Sequence, residues 1–236
     1  MDTRSSFREE LDAVRADLVH MAGRVHETIP RGTTALLSND LQAARSLIAG
    51  DDEIDLTTIE IEERCYQILA LQQPVAHDLR AVVTALWLSA EIERTADLMT
   101  NVAKAAHRLV THEISPRFRG LIEQMGEQAG LLFGMALDSY VEESAELAGV
   151  LDEVDDVLDD LHREFITAVL ESEPADEAGV KAVVQLALIG RYYERIGDHA
   201  VNIGERVHYL VTGWMPEHAG AARARQLAIE QSHAPV

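Results

Sequence analysis

The chain has 236 residues, 47% of them apolar, and a formal net charge of −21, with 41 acids against 20 lysines and arginines. That apolar fraction excludes a disordered chain, and the sign of the charge excludes a nucleic-acid-binding domain, whose affinity comes largely from neutralising phosphates. Such a surface attracts metal cations or basic protein patches and is repelled by an anionic membrane.

Helical periodicity dominates, with no convincing alternating strand. The first segment, residues 4–37, sets Leu11, Val14, Leu18, Met21 and Val25 at i+3/i+4 spacing. Pro30 and Gly32 fall inside it and predict a kink or break. Ser38-Asn39-Asp40 is a capping cluster opening a second helix that carries Leu41, Ala44, Leu47, Ile54, Ile61 and Ile68. Pro74 ends that run and starts a third, residues 75–112. Its stripe of Ile92, Ala96, Met99, Ala103, Ala106 and Val110 has the spacing of a bundle seam.

Ser115-Pro116 then supplies a cap and a first-turn proline for the second half. Its helices are predicted at residues 117–137, 139–172 and 176–211, the last with a matching seam of Tyr193, Gly197, Ala200, Gly204, Val207 and Val211. From Gly213 onward the pattern is lost, which predicts a flexible tail or loose terminal helix. The expected fold is all-α: two tandem, homologous antiparallel three-helix bundles at residues 1–113 and 114–212, then a tail at 213–236.

The homology of the halves is written in the residues. Asp52-Glu53-Ile54-Asp55 returns as Asp152-Glu153-Val154-Asp155, and Glu93-Arg94-Thr95-Ala96-Asp97 as Glu194-Arg195-Ile196-Gly197-Asp198. Leu37 aligns with Leu137, Leu47 with Leu147, Pro74 with Pro174, and Ala81-Val82-Val83 with Ala182-Val183-Val184. A duplication of this length sets the architecture before any motif is read. It also makes a carboxylate kept in both copies a better functional candidate than one found once.

Glu93 and Asp97 lie four residues apart on one side of the third helix, with Asn101 one turn further, and Glu194, Asp198 and Asn202 repeat this on the last. Each stripe sits one residue, about 100°, from the apolar seam, so the acids line the bundle rim where a neighbouring helix can add ligands. Asp52 and Asp55, and again Asp152 and Asp155, are the acids offered by that neighbour. Hard oxygen ligands of this kind suit Mg²⁺, Mn²⁺, Ca²⁺ or iron. The plainer reading is a solvated acidic face paired with Arg94 and Arg195, and the run Asp152 to Asp160 is read mostly as surface charge.

Other chemistry is poorly supported. Cys65 is the only cysteine, so the chain can form no internal disulfide or thiolate cluster, and its seam position makes it a core residue. His77, His107, His162, His199 and His208 fall in helices and read mostly as surface or boundary residues. Glu205-Arg206-Val207-His208 spells the ExxH of di-iron bundles, but its first-half counterpart is Lys104…His107, and the other ExxH, Glu230…His233, lies in the tail. There is no P-loop, no GxGxxG after a strand and no GxSxG elbow. The start Met1-Asp2-Thr3-Arg4 is not apolar, so no secretory signal is expected. The most apolar stretch, residues 82–90, is too short to span a bilayer. A cytoplasmic location is therefore expected. In Gln72-Gln73-Pro74-Val75-Ala76-His77-Asp78-Leu79-Arg80, Asp78 is placed to satisfy free amides in the first helical turn.

Gln73 to Arg80, with its Gln-Pro-x-Ala-x-Asp-Leu-Arg entry, resembles the PhoU family of bacterial phosphate-uptake regulators. Glu194-Arg195-Ile196-Gly197-Asp198 matches the family's Glu-Arg-Ile-Gly-Asp motif in full, while the first copy has Thr95-Ala96 in place of Ile-Gly. The resemblance spans about residues 5–212 and implies two three-helix bundles without catalytic turnover. It further implies a cytoplasmic negative regulator of phosphate uptake and phosphate-starvation signalling. In that role the protein is an adaptor linking the ATPase subunit of the phosphate-specific ABC transporter to a sensor histidine kinase. It implies metal binding by ExxxD motifs, a divalent or ferric ion (Fe, Mn, Mg or Zn), with Glu93, Asp97, Glu194 and Asp198 as leading ligands. Asp52, Asp55, Asp152 and Asp155 are the looser matches. Rim acids near a seam also leave room for a homodimer. A PhoU-like paralogue serving another transporter is the alternative, and a carboxylate-bridged metal enzyme is the remote one.

Overall fold

The computed structural model describes residues 3–174 and 176–214 of the chain. The expected tail, 213–236, therefore lies outside the described residues except for Gly213 and Trp214. Among the described residues there are seven helices and no strand: α1 Thr3–Ser38, α2 Leu41–Gln72, α3 Ala76–Leu109, α4 Pro116–Val141, α5 Ala145–Gly149, α6 Leu151–Leu170 and α7 Glu177–Thr212. The first bundle is α1–α2–α3; the second is α4, the α5–α6 pair and α7.

The helix starts follow the capping residues. Asp40 accepts from the amides of Gln42 and Ala43, Ser144 from Leu147, and Asp176 from Gly179. Gly213, at φ 73°, closes α7 in the left-handed conformation that glycine adopts without penalty. Ser115 precedes Pro116 but its side chain makes no cap bond, and at α3 the N-cap is Val75, also without one. The capping role expected of Asp78 is thus not made as a hydrogen bond. Its charge still lies in the first turn, where the helix dipole favours it.

Two expectations of the sequence are corrected. Of the kink or break expected at Pro30, the break is not made: α1 runs through it to Ser38. The nearby Gly32 serves packing: a Cβ there would overlap Met99 of α3, so the glycine lets the two helices close. The single helix expected at 139–172 is instead divided, because α4 continues to Val141 and a turn at Glu142–Ser144 leads into α5 and then α6. At that division Leu151 and the Ala148 carbonyl pack against Gly204 of α7, which has no side chain to hold them off.

The seams are buried as the periodicity predicts. Ile92, Ala96, Met99, Ala103 and Ala106 in α3, and Tyr193, Ala200 and Val207 in α7, lie in the core, while the last seam positions, Val110 and Val211, emerge into solvent. Cys65 is fully buried on α2, and burial pushes its thiol up to about 11, which leaves it unreactive. One continuous apolar cluster runs through both halves. The bundles meet most extensively along α3 and α7, with α1 against α4 beside them. Across this junction Tyr193 Oη and Thr33 Oγ1 share a buried 2.7 Å hydrogen bond, and Arg80 Nε donates to the Leu210 carbonyl at 2.9 Å. Arg206 stacks over the Trp87 ring at 4.2 Å.

Two carboxylate clusters as the candidate metal centres

The α2–α3 rim gathers four acids. Glu93 is half-buried on α3 and Asp97 stands exposed one turn on; Asp51 and Asp55 come across from α2. The Glu93 carboxyl is held above its ordinary range by burial first and then by the charges of Asp97, Asp55 and Asp51, with Arg94 opposing them. Asp51 is raised too, by burial, with a hydrogen bond from Thr100 opposing and Asp97 and Asp55 adding. Asp51, Gly50 and Thr100 also line an adjoining cavity of about 220 Å³. Asp52, the neighbour expected to contribute, is exposed and does not act on Glu93 or Asp51; Asp51 takes that position.

The α6–α7 rim repeats the arrangement with different members. Asp155 is half-buried and its carboxyl is pushed up to about 6, by burial first, then by Asp159, Asp198, Asp152 and Asp156. Its Oδ1 is buried without a hydrogen-bond partner among the described residues, and so is Glu194 Oε2. The Glu194 side chain is only 13% exposed, and its other oxygen takes the Arg191 guanidinium. Asp198 is half-exposed, with its Oδ2 3.9 Å from Arg191 Nη2. Asp152 stays exposed at the cluster's edge, and Asp159, which the sequence reading passed over, is a full member.

Asp55 and Asp155 are equivalent by the repeat, but their companions are not. Asp51 corresponds to the buried Leu151, and Asp159 corresponds to the exposed Ile59. Each companion lies four residues from the shared aspartate, in opposite directions along the helix. The i,i+4 spacings Asp51–Asp55 and Asp155–Asp159 were the available signal; reading Asp52–Asp55 at i,i+3 turned the face by one residue.

Among the described residues no three His, Cys, Asp or Glu side chains are disposed to hold one metal ion together. The donor chemistry alone suits a hard cation, all-oxygen and, at Asp155 Oδ1 and Glu194 Oε2, buried without a hydrogen-bond partner. Taking up such an ion would require these partly exposed side chains to change rotamer. The same lack of compensation gives a prediction. Asp155 has a folded value of about 6 against an ordinary 3.8, so the native chain keeps a proton that the unfolded chain has lost. Stability therefore falls as pH rises from 3.8 towards 6, and the penalty is complete above that. Asp155→Asn is expected to raise Tm at pH 7 by a few degrees, about 1 kcal/mol after solvent screening, and to change little at pH 4. Thermal melts at the two pH values check this, and an unchanged Tm at pH 7 refutes it.

Behind the rims lies a contact that the sequence did not reveal. His199, expected as a surface or boundary residue, is buried between the bundles, its Nδ1 2.7 Å from Glu91 Oε2, and Asn202 Nδ2 donates to the same oxygen at 3.1 Å. Arg94, expected in the plainer reading to pair with the acidic stripe, pairs with Glu91 at 3.2 Å and also acts on Glu93. His208 of the ExxH lies near Thr212 and the Trp214 carbonyl, at the exposed end of α7.

A duplicated, acid-rimmed helical bundle, with no helix among the described residues long and apolar enough to cross a membrane, is the class of protein that these features define. The family model for the PhoU domain matches it twice, at residues 18–106 and 122–207. The phosphate-specific transport system accessory protein PhoU homolog 2 of Mycobacterium tuberculosis is 36% identical over 214 residues, covering 90% of this chain and all of that protein. Homolog 1 of Mycobacterium leprae is 35% identical, with 91% and 96% covered. Crystal structures of PhoU from Pseudomonas aeruginosa and Streptococcus pneumoniae superpose with TM-scores of 0.81 and 0.80, at 33% and 27% identity. They cover 88% and 89% of this chain and 100% and 98% of their own. The chain belongs to the PhoU family.

Proposed function

We propose that this protein is a cytoplasmic accessory regulator that lowers phosphate uptake and starvation signalling when phosphate is plentiful. In this reading it links the ATPase subunit of the phosphate-specific ABC transporter to a sensor histidine kinase and performs no chemistry of its own. The observation that carries the proposal is the family match through both repeats, in relatives named as accessory proteins of phosphate-specific transport. The net charge of −21 supports a docking role, since acidic faces attract basic surfaces on partner proteins.

Metal binding belongs to the same reading. Glu93, Asp97, Asp51 and Asp55 would hold an ion on the first rim, and Asp155, Asp159, Glu194 and Asp198 on the second. A bound divalent or ferric ion would supply neutralising charge to carboxylates that now raise one another's proton affinity. Asp52 and Asp152, exposed beside these groups, would contribute only outer charge.

A pull-down from phosphate-replete cells tests the adaptor role, with tagged wild type beside the Glu93/Asp97/Glu194/Asp198 quadruple alanine variant. Wild type is expected to recover the transporter ATPase or the kinase, and the variant to lose it while keeping its helicity. Recovery of neither by folded wild type refutes the adaptor. A second reading has its own support: Mycobacterium tuberculosis carries both a homolog 1 and a homolog 2. A paralogue serving a different transporter would recover that transporter's ATPase in the same experiment.

A further inference from the structure

The duplication also shows which surface residues the fold does not need. On the outer face of α2, Leu56, Ile59 and Tyr66 are 61%, 51% and 57% exposed. They fall within about 80° of one another around the helix, in a run of roughly 15 Å along its axis. The second copy carries Asp156, Asp159 and Ile166 at the same positions of α6. Aspartate at two of the three shows that this bundle architecture does not require apolar side chains there. The large apolar residues that α6 does expose, Val157 and Leu170, lie about 140° apart around it and make no such run. Glu60 and Glu63 stand exposed among the three on α2, and neither is in an ion pair among the described residues. The cations nearby are engaged elsewhere, Arg24 with Glu53 and Arg64 with Asp17. The other cation of α2, Arg45, lies about three turns before the run.

We infer that this face of α2 is the docking surface for a helix of another protein, one that presents apolar side chains flanked by lysine or arginine. The apolar run is taken out of water by apolar groups, and the unpaired Glu60 and Glu63 are matched by cations beside them. A helix is the form that fits, because among the described residues there is no strand whose edge an extended peptide could join. A second copy of this chain brings the same two acids, and a net charge of −21, against their like. An anionic lipid surface is repelled for the same reason. The inference goes beyond the proposed regulatory role and does not depend on which protein the neighbour is.

The test is binding of a fluorescein-labelled synthetic Leu/Lys amphipathic helix to the full chain in chelator, read by anisotropy. Leu/Glu and Ser/Lys peptides of the same pattern are the comparisons. Wild type is expected to bind the Leu/Lys peptide about tenfold or more tighter than either. The decisive variant is Leu56→Asp with Ile59→Asp, which writes the second copy's residues into the first and should keep wild-type helicity and Tm. It adds two negative charges, so binding by charge alone would strengthen, whereas docking on the apolar run weakens about tenfold. Glu60→Lys with Glu63→Lys should weaken binding by a similar factor, and Val157→Asp on α6 should not weaken it. No preference of wild type for the Leu/Lys peptide overturns the inference, as does equal or tighter binding by the folded aspartate variant. A wild-type dimer in sedimentation that the aspartate variant dissolves also overturns it, and assigns the face to a second copy. Each of these results leaves the adaptor reading to its own pull-down, which varies the rim acids instead.

Discussion

Replacing Glu91 with alanine is expected to destabilise the protein by about 3 kcal/mol at pH 7, more than any single change among the rim acids. Glu91 is 14% exposed and His199 6%, so the pair is largely out of water, and Asn202 shares the same carboxylate oxygen. Removing the acid leaves the buried His199 and the partly buried Asn202 without their acceptor, and such orphans cost more than the pair contributes when intact. The pH dependence has a defined sign. Burial alone would raise the Glu91 carboxyl, but His199, Asn202 and Arg94 together outweigh it and hold it below its ordinary 4.5. A depressed carboxylate stabilises the fold above its unfolded value and loses that contribution as pH falls through its folded value. The penalty of Glu91→Ala should therefore be full at neutral pH and shrink below pH 4.5, opposite to the behaviour predicted for Asp155→Asn. Urea melts of Glu91→Ala, His199→Leu and the double variant check this. A loss under about 1 kcal/mol, or strict additivity in the cycle, would show the pair to be incidental.

Tyr193→Ala is expected to cost about 4 kcal/mol and to weaken both bundles together. The ring is fully buried on the α7 seam, and its hydroxyl reaches Thr33 of α1, which also donates to the Ile29 carbonyl. Thr33 is itself seated against Gly126 of α4, where a Cβ would come within 2.5 Å of its Oγ1. Three helices from two repeats thus meet at one hydrogen bond. Truncating the ring opens a cavity at this junction, so the melt should remain a single transition with a lower midpoint. Two resolved transitions, one near the wild-type midpoint, would show instead that the bundles fold independently. Tyr193→Phe, which keeps the ring, should lose only about 1 kcal/mol.

The helices and their seams were legible because burial repeats at helical spacing, and Ile92 to Ala106 needed no other information. Pro30 gave no sign that the helix continues past it, because local rules see the missing amide but not Met99, whose approach to Gly32 binds that stretch of α1 to α3. Asp51 was passed over for Asp52 because adjacent residues differ by about 100° around a helix, and only the facing helix decides which of them turns inward. His199 could not be read as buried, since its partner Glu91 lies 108 residues earlier in the chain. Arg191 did leave a trace, as a cation three residues before Glu194 in one copy and an alanine in the other. A comparison of copies that asks only what is kept passes over such a difference.

The displacement of Asp51 and Asp159 in opposite directions from the shared aspartate has a consequence for recognition. Here Asp51 lies about 6 Å, four residues, before the shared aspartate of its helix and Asp159 about as far beyond its own. Half a revolution of the molecule therefore does not restore the pattern of charge. Under the proposed docking role, a symmetric basic partner that fitted one rim would meet the other out of step, so the two rims would not be interchangeable.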